Sequence, residues 1–450
     1  MVKHARSNSS GFDEEASKCS NTSSSASGSL EDFNANLITD RFVLDTELGR
    51  GSFGHVWKVQ LRPDLDRLQN KPAPYFALKL LLPACDPDSV ALEIRVLSSL
   101  GGTCNILKAY EAFRCLDRIF LVMDYFPHDN FSDYLRDMSG SEAFDYVRNL
   151  FLALEYLHEN GIIHRDVKPS NFLYNRALRR YALVDFGLCK EVALSKQPSS
   201  LRSENEFSDS CVSREKRRSL FTQQNGSIRK KPKRNVKRQC RKKPHCSCVD
   251  TQRYICQLCM NRSVESGSRV GTSGYRAPEM LMLPGYCTTA SDVWAAGITT
   301  LMVLSGRYPL MRPDDEATGL AQISVLFGSD CLQRLATKLN RTFNISPSLT
   351  DGLDLRLLSC YLRTKWEPTE RQTQSECRCS VFVTGSKLCF CQRTEFFVQR
   401  PPSHAKDRFG DLSDEDFGRL CMTLDMTLDV DPCTRSSSRS VKLIMGVRDG

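Results

Sequence analysis

The pattern of apolar and polar positions divides the chain into stretches of different character. Residues 1–38 have no sustained apolar period and are rich in Ser, Asn and Gly, as in Ser20-Asn21-Thr22-Ser23-Ser24-Ser25. They bury too little apolar area to offset chain entropy, so a disordered tail is expected. From Phe42, two strand-like runs lie on either side of Gly49, Gly51 and Gly54. Phe76-Ala77-Leu78-Lys79-Leu80 predicts a short buried strand with a lysine at its centre, Val90 to Ile94 lies in a helix-like segment, and Phe120 to Tyr125 predicts another strand. Phe144, Val147, Leu150, Phe151, Leu154 and Leu157 fall at helical spacing, and Asn160-Gly161 supplies a stop, which predicts a core helix over 144–159. Tyr181 to Val184 is a further short apolar run.

The chemistry concentrates just after that helix, in Ile162-Ile163-His164-Arg165-Asp166-Val167-Lys168-Pro169-Ser170-Asn171. A carboxylate, a cation and an amide at this spacing are what phosphoryl transfer needs on one rigid loop. Asp166 would accept a proton from the acceptor hydroxyl, Lys168 would neutralise charge on the moving phosphoryl group, and Asn171 would ligate a magnesium ion. Asp185-Phe186-Gly187 follows 14 residues later and offers a second carboxylate at a strand end for the metal. Upstream, Gly49, Gly51 and Gly54 would let backbone approach phosphates, with Val56 covering a base. These glycines sit between strands instead of opening a helix, which favours a hairpin lid over a dinucleotide-binding turn. Lys79, in its apolar strand, has a reason to be there if it binds phosphates while paired with a helix carboxylate, for which Glu93 is the candidate; the plainer alternative is a snorkelling lysine. Ala77, Met123 and Tyr125 are the other expected lining residues of the nucleotide pocket.

These motifs, in this order, resemble the eukaryotic protein kinases. Gly271-Thr272-Ser273-Gly274-Tyr275-Arg276-Ala277-Pro278-Glu279 matches the family's substrate-facing loop, Ser291 to Gly297 matches the helix supporting the catalytic loop, and Arg435 is the candidate partner of Glu279. The resemblance implies an α+β, bilobal protein-kinase fold, with a β-rich N-lobe and a helical C-lobe, interrupted by two long, largely irregular inserts. The expected divisions are the tail at 1–38, the N-lobe at 39–127, the first part of the C-lobe at 128–190, a basic Cys-rich insert at 191–269, the C-lobe again at 270–362, a second Cys-containing insert at 363–410 and the C-lobe end at 411–450. After Arg435 a Ser-rich stretch stands where the family continues into a closing helix, and the chain then stops, so a truncated or an alternative ending is expected. The resemblance also implies ATP and Mg²⁺ as cofactors and Ser or Thr as acceptor, because Lys168 follows the catalytic aspartate. A scaffold with the kinase fold but no activity would have lost Lys79, Asp166 or Asp185, and all are present.

About 90 residues separate Gly187 from Ala277, far more than the family usually places there. With Asp166 to Asn175, Tyr181 to Leu188 and Gly306-Arg307-Tyr308-Pro309, this resembles the cell-division-cycle-seven branch. That implies a nuclear kinase of replication initiation that works with a regulatory activator subunit. Arg276, beside the residue after the acceptor, would select acidic or phosphorylated neighbours, or else only brace the loop. Net charge is +9, much of it between Arg214 and Lys243. The run Ile228 to Lys243 suits an import signal, a weak nucleic-acid contact, or simply a solvated loop; it also leaves a nucleic-acid-binding regulator as an alternative reading. No apolar stretch approaches the ~18 residues of a membrane span, and the N-terminus has no hydrophobic signal core. No membrane contact and an intracellular setting are therefore expected, with the 20 cysteines as thiols or metal ligands. Cys246, Cys248, Cys256 and Cys259 could enclose one structural zinc ion, or stand as free thiols in a loop. Cys377, Cys379, Cys389 and Cys391 form a second, similar cluster.

Overall fold

The computed structural model describes residues 36–51, 54–62, 74–81, 86–115, 118–192, 270–345, 352–364, 409 and 411–446. Both cysteine clusters and the basic run at 228–243 lie outside the described residues.

A one-turn helix α1 (Asn36–Thr39) leads into strands β1 (Phe42–Gly51), β2 (Gly54–Leu61) and β3 (Tyr75–Leu81). Helix α2 (Pro87–Ser99) follows, then β4 (Ala109–Cys115) and β5 (Arg118–Asp124). The five strands form one antiparallel sheet in the order β1-β2-β3-β5-β4. One face closes over Phe42, Trp57, Val59, Leu78, Phe120 and Val122, with Ile38 of α1 fully buried among them. Because side chains alternate along a strand, Ala77 and Lys79 face the other side, towards α2 and the cleft. Helix α2 begins where Asp86 accepts the Ser89 N–H and Pro87 supplies the first turn, whose N–H would be unpaired anyway. It buries Val90, Glu93, Val96 and Leu97, a charged residue among apolar ones.

The second lobe starts with α3 (Phe131–Tyr134) and α4 (Gly140–Glu159), followed by β6 (Ile162–Ile163), β7 (Phe172–Asn175), β8 (Arg180–Leu183) and β9 (Lys190–Glu191). It continues with α5 (Pro278–Met282), α6 (Thr289–Ser305), α7 (Glu316–Phe327), α8 (Ser329–Lys338), α9 (Leu355–Thr364), α10 (Asp414–Thr427) and α11 (Ser438–Ile444). Helix α4 starts one turn earlier than its apolar pattern indicates. Ser139 and Glu142 form a reciprocal capping box that satisfies two otherwise unpaired donors. Helix α6 is buried on every side, from Ser291 to Ser305, as befits the central post of the lobe. At Gly297 a Cβ would lie 2.4 Å from the Thr427 hydroxyl and 2.8 Å from Leu428, so the close approach of α10 to α6 requires glycine.

The boundaries differ from the sequence expectation in places. The tail expected over 1–38 ends earlier, since α1 starts at Asn36 and Ile38 is fully buried under the sheet. Arg363, taken as the start of the second insert, belongs to the lobe: its guanidinium donates to the carbonyls of Val303 at 2.7 Å and Met138 at 2.8 Å and covers the Phe409 ring at 4.2 Å. Asp411 then accepts the N–H groups of Gly140 and Ser141 at the start of α4, at 2.9 and 3.0 Å. The segment after Arg435 forms helix α11. The Ser-rich run is its start, with the Ser437 hydroxyl accepting the Ser440 N–H, while Val441 and Met445 are buried and Lys442 pairs with Glu155 of α4 at 2.6 Å. Among the described residues, no helix is long and apolar enough to cross a membrane.

Candidate active site

The cleft between the lobes is a cavity of about 860 Å³ lined by Leu48, Gly49, Val56, Ala77, Met123 and Tyr125 on one side and by Leu173, Asn171, Val184 and Asp185 on the other. The strand register sets its roof. Val56 lies opposite Lys79, and Ala77 lies opposite Met123, so the small alanine leaves room where the methionine closes the back. At Gly54 a Cβ would sit 1.9 Å from the Leu80 carbonyl oxygen, so only glycine lets β2 lie this close to β3. Gly51 pairs with Gly54 across the hairpin.

Lys79 and Glu93 are both buried, with Nζ 2.7 Å from the Glu93 carboxylate and 3.0 Å from Asp185. Burial alone would push the Lys79 pKa down, but the two adjacent carboxylates more than offset it and hold the ammonium charged. The snorkelling alternative is thereby excluded. Asp185 is held at φ +63°, in the left-handed region, with one oxygen on Lys79.

The catalytic loop is suspended from the Asp292 carboxylate at the start of α6. Asp292 accepts the His164 N–H at 2.7 Å and the Arg165 N–H at 2.8 Å, and Arg165 itself sits at φ +68°. A non-glycine residue there is strained, and the carboxylate on its own amide and the preceding one holds it. His164 bonds through Nε2 to the Val184 carbonyl at 3.0 Å. Nε2 must therefore carry the hydrogen, which leaves Nδ1 to accept the Asp166 N–H at 3.3 Å. The His164 ring also meets Phe186 edge-on at 5.0 Å.

Asp166 is the hub. One oxygen accepts the Thr272 N–H at 2.8 Å and hydroxyl at 2.6 Å; the other faces Lys168 Nζ at 2.8 Å and Asn171 Nδ2 at 3.0 Å. Lys168 also donates to the Thr272 hydroxyl at 2.7 Å. Burial works to raise the Asp166 pKa, but the bonds from Lys168 and Thr272 prevail and hold it below the ordinary value. Asp166 is therefore an ionised, oriented base. Asn171 spends its N–H₂ on Asp166, which leaves its amide oxygen as a metal ligand. A metal held between that oxygen and Asp185, with Lys79 on the phosphates, fits this donor set: hard oxygens and one lysine.

Arg276 donates to the Gly271 carbonyl at 2.9 and 2.6 Å and pairs with Glu316 at 3.2 Å. It borders a hollow lined by Ser273, Gly274, Met311 and Pro313. Glu279 and Arg435 form a buried bidentate pair at 2.8 and 3.0 Å, as the resemblance implied. Sequence reasoning missed the role of Thr272, whose signal is only its place directly after Gly271. It also missed Leu173, two residues beyond Asn171 on β7, where alternation turns it into the pocket.

A nucleotide cleft roofed by a glycine hairpin, closed by a paired lysine and floored by an oriented carboxylate defines an enzyme of phosphoryl transfer. The chain belongs to the protein kinase family, whose domain profile matches residues 42–215 and 256–383. Within it, the similarity is to the cell-division-cycle-seven kinases. The Cell division cycle 7-related protein kinase of Homo sapiens is 29% identical over 430 residues, spanning 75% of this chain and 74% of that protein. Its Mus musculus counterpart is 30% identical over 387 residues, 65% of this chain and 67% of that protein. The Cell cycle serine/threonine-protein kinase hsk1 of Schizosaccharomyces pombe is 28% identical over 316 residues, 69% and 54% respectively. The activity is therefore serine/threonine protein kinase, with ATP and Mg²⁺ as the family's cofactors. Bound Mg²⁺-ATP supplies the phosphoryl donor. Asp166 orients the acceptor hydroxyl and takes its proton, Lys168 and Thr272 fix Asp166, and the Lys79–Glu93 pair fixes α2 against the cleft.

Proposed function

We propose that this chain is a partner-activated nuclear cell-cycle kinase that promotes initiation of DNA replication by phosphorylating replicative helicase subunits at Ser or Thr in acidic context. The observation that carries the catalytic part is the single network joining Asp166, Lys168, Asn171 and Thr272, with Lys79, Glu93 and Asp185 across the cleft. The branch supports the rest. Since Lys79 and Glu93 already pair, the regulatory subunit would act by holding α2 and engaging the inserts, and the chain alone should turn over slowly. Arg276 supports acidic context: an anion on the residue after the acceptor would compete with Glu316 for its guanidinium. The cysteines at 246–259 fit a zinc ion that folds their insert, and the basic run fits nuclear import or weak nucleic-acid contact.

The test is radiolabelled phosphate transfer by wild type and Asp185→Asn, each with and without a co-expressed regulatory subunit, with zinc quantified alongside. Transfer that needs Asp185 and rises with the subunit supports the proposal; high turnover of the lone chain overturns the activation part. Equal losses on Ser-Asp and Ser-Ala peptides in Arg276→Ala would reject the acidic-context part.

A further inference from the structure

His158 lies in the last turn of α4, and Ser438 is the first residue of α11; the two helices pack together. His158 Nδ1 is 2.9 Å from the Ser438 hydroxyl and Nε2 is 3.0 Å from Asp292. All three side chains are enclosed: Ser438 is 3% exposed, Asp292 1% and the His158 side chain 9%. An ionised carboxylate only accepts hydrogen bonds, so Nε2 carries the hydrogen it shares with Asp292. In the neutral ring Nδ1 is then an acceptor, and the Ser438 hydroxyl donates to it. Asp292 in turn accepts the N–H groups of His164 and Arg165, the second of which belongs to the left-handed residue that precedes Asp166.

We propose that Ser438 is a positioning residue of this kinase: through His158 and Asp292 it fixes the catalytic-loop amides, and so places Asp166. The Ser438 hydroxyl is not what builds the helix it stands in. Ser437 caps α11, Val441 and Met445 bury its face, and Lys442 anchors it to Glu155. That hydroxyl serves the imidazole. Without it, Nδ1 is buried with no donor, the ring is free to turn, and Asp292 loses a fixed partner while still holding Arg165 in its left-handed conformation.

The experiment uses the full chain, with its co-expressed regulatory subunit where that raises the basal rate. Ser438→Ala should lower kcat about tenfold, the scale of a buried hydrogen bond left unmade, with KM for ATP unchanged. Amide hydrogen exchange at His164 and Arg165, read on the chain alone and independent of activity, should quicken. Ser438→Thr, which keeps the hydroxyl, should restore both. Val441→Ala loosens the same helix without touching the relay; it should lower the melting temperature and leave kcat below melting unchanged. Should the alanine variant not fold, Ser438→Cys, a weak donor of similar size, should give an intermediate kcat and exchange rate. Wild-type kcat and exchange in Ser438→Ala, failure of threonine to rescue, or an equal kcat loss in Val441→Ala would each overturn the proposal.

Discussion

Replacing Arg435 by Met tests the buried pair that ties the substrate-facing loop to the C-lobe. The Arg435 guanidinium gives two bonds to Glu279, and others to the carbonyls of Ala290, Asp429 and Val430. It also covers the Trp294 ring at 5.0 Å. Methionine fills much of the same volume and makes none of those bonds. Among the described residues, Glu279, fully enclosed, would keep only the Ser291 hydroxyl at 3.2 Å. An uncompensated buried charge of this kind costs about 3–5 kcal/mol. At roughly 2–4 °C per kcal/mol for a lobe of this size, the melting temperature should fall about 6–20 °C. Thermal unfolding followed by near-ultraviolet circular dichroism measures it. Because both groups are buried, the loss should change little with salt. Adding Glu279→Gln to Arg435→Met removes the stranded charge and should recover a substantial part of the loss. A melting point within about 2 °C of wild type, or a double variant no more stable than the single one, would refute this reasoning.

Lys79→Met should abolish the rise in melting temperature that Mg²⁺-ATP gives the wild type, and chelating the metal should do the same to the wild type. Thr272→Val should lower kcat by about tenfold and move the acidic limb of the rate profile to higher pH, since Asp166 loses the hydroxyl donor that helps hold its pKa down. Glu142, bonded to Arg176, the Ser139 N–H and the Tyr174 hydroxyl, is held down at about 2 from its ordinary 4.5, with the Arg176 bonds the largest cause. Its stabilisation is present above 4.5 and lost as pH falls towards 2, so Arg176→Ala should shift acid unfolding to higher pH. Gly140→Ala would place a Cβ 2.8 Å from Leu412 and 2.9 Å from Phe409 and should destabilise the lobe by about 1–3 kcal/mol.

The catalytic loop was legible because its residues lie within ten positions of one another, where spacing alone fixes roles. Lys79 with Glu93 was legible in kind, because a charge in an apolar run needs a partner, whereas Glu279 with Arg435 was legible only through the resemblance to the kinases; in neither case does the sequence state the distance. Thr272 was not, because its function arises only when Asp166, 106 residues away, folds back onto its hydroxyl. The helix after Arg435 was not legible because serine is a poor helix interior residue but a good cap. Ser437 takes the second role, and burial of Val441 and Met445 does the rest. Arg363 was misplaced for a similar reason. The residues that follow it are mostly polar, but its own guanidinium finds two carbonyls and an aromatic face inside the lobe.

The base of the second insert has a consequence for how this protein tolerates change. Arg363 on Phe409, and Asp411 on the first turn of α4, bring the two ends of that excursion together like a stitched hem. Lengthening a loop whose ends are already joined costs little, about 0.6 kcal/mol for each doubling. With both ends held by the lobe itself, a reporter domain grafted within 365–408 should leave phosphate transfer intact, whereas one grafted at Phe409 should not.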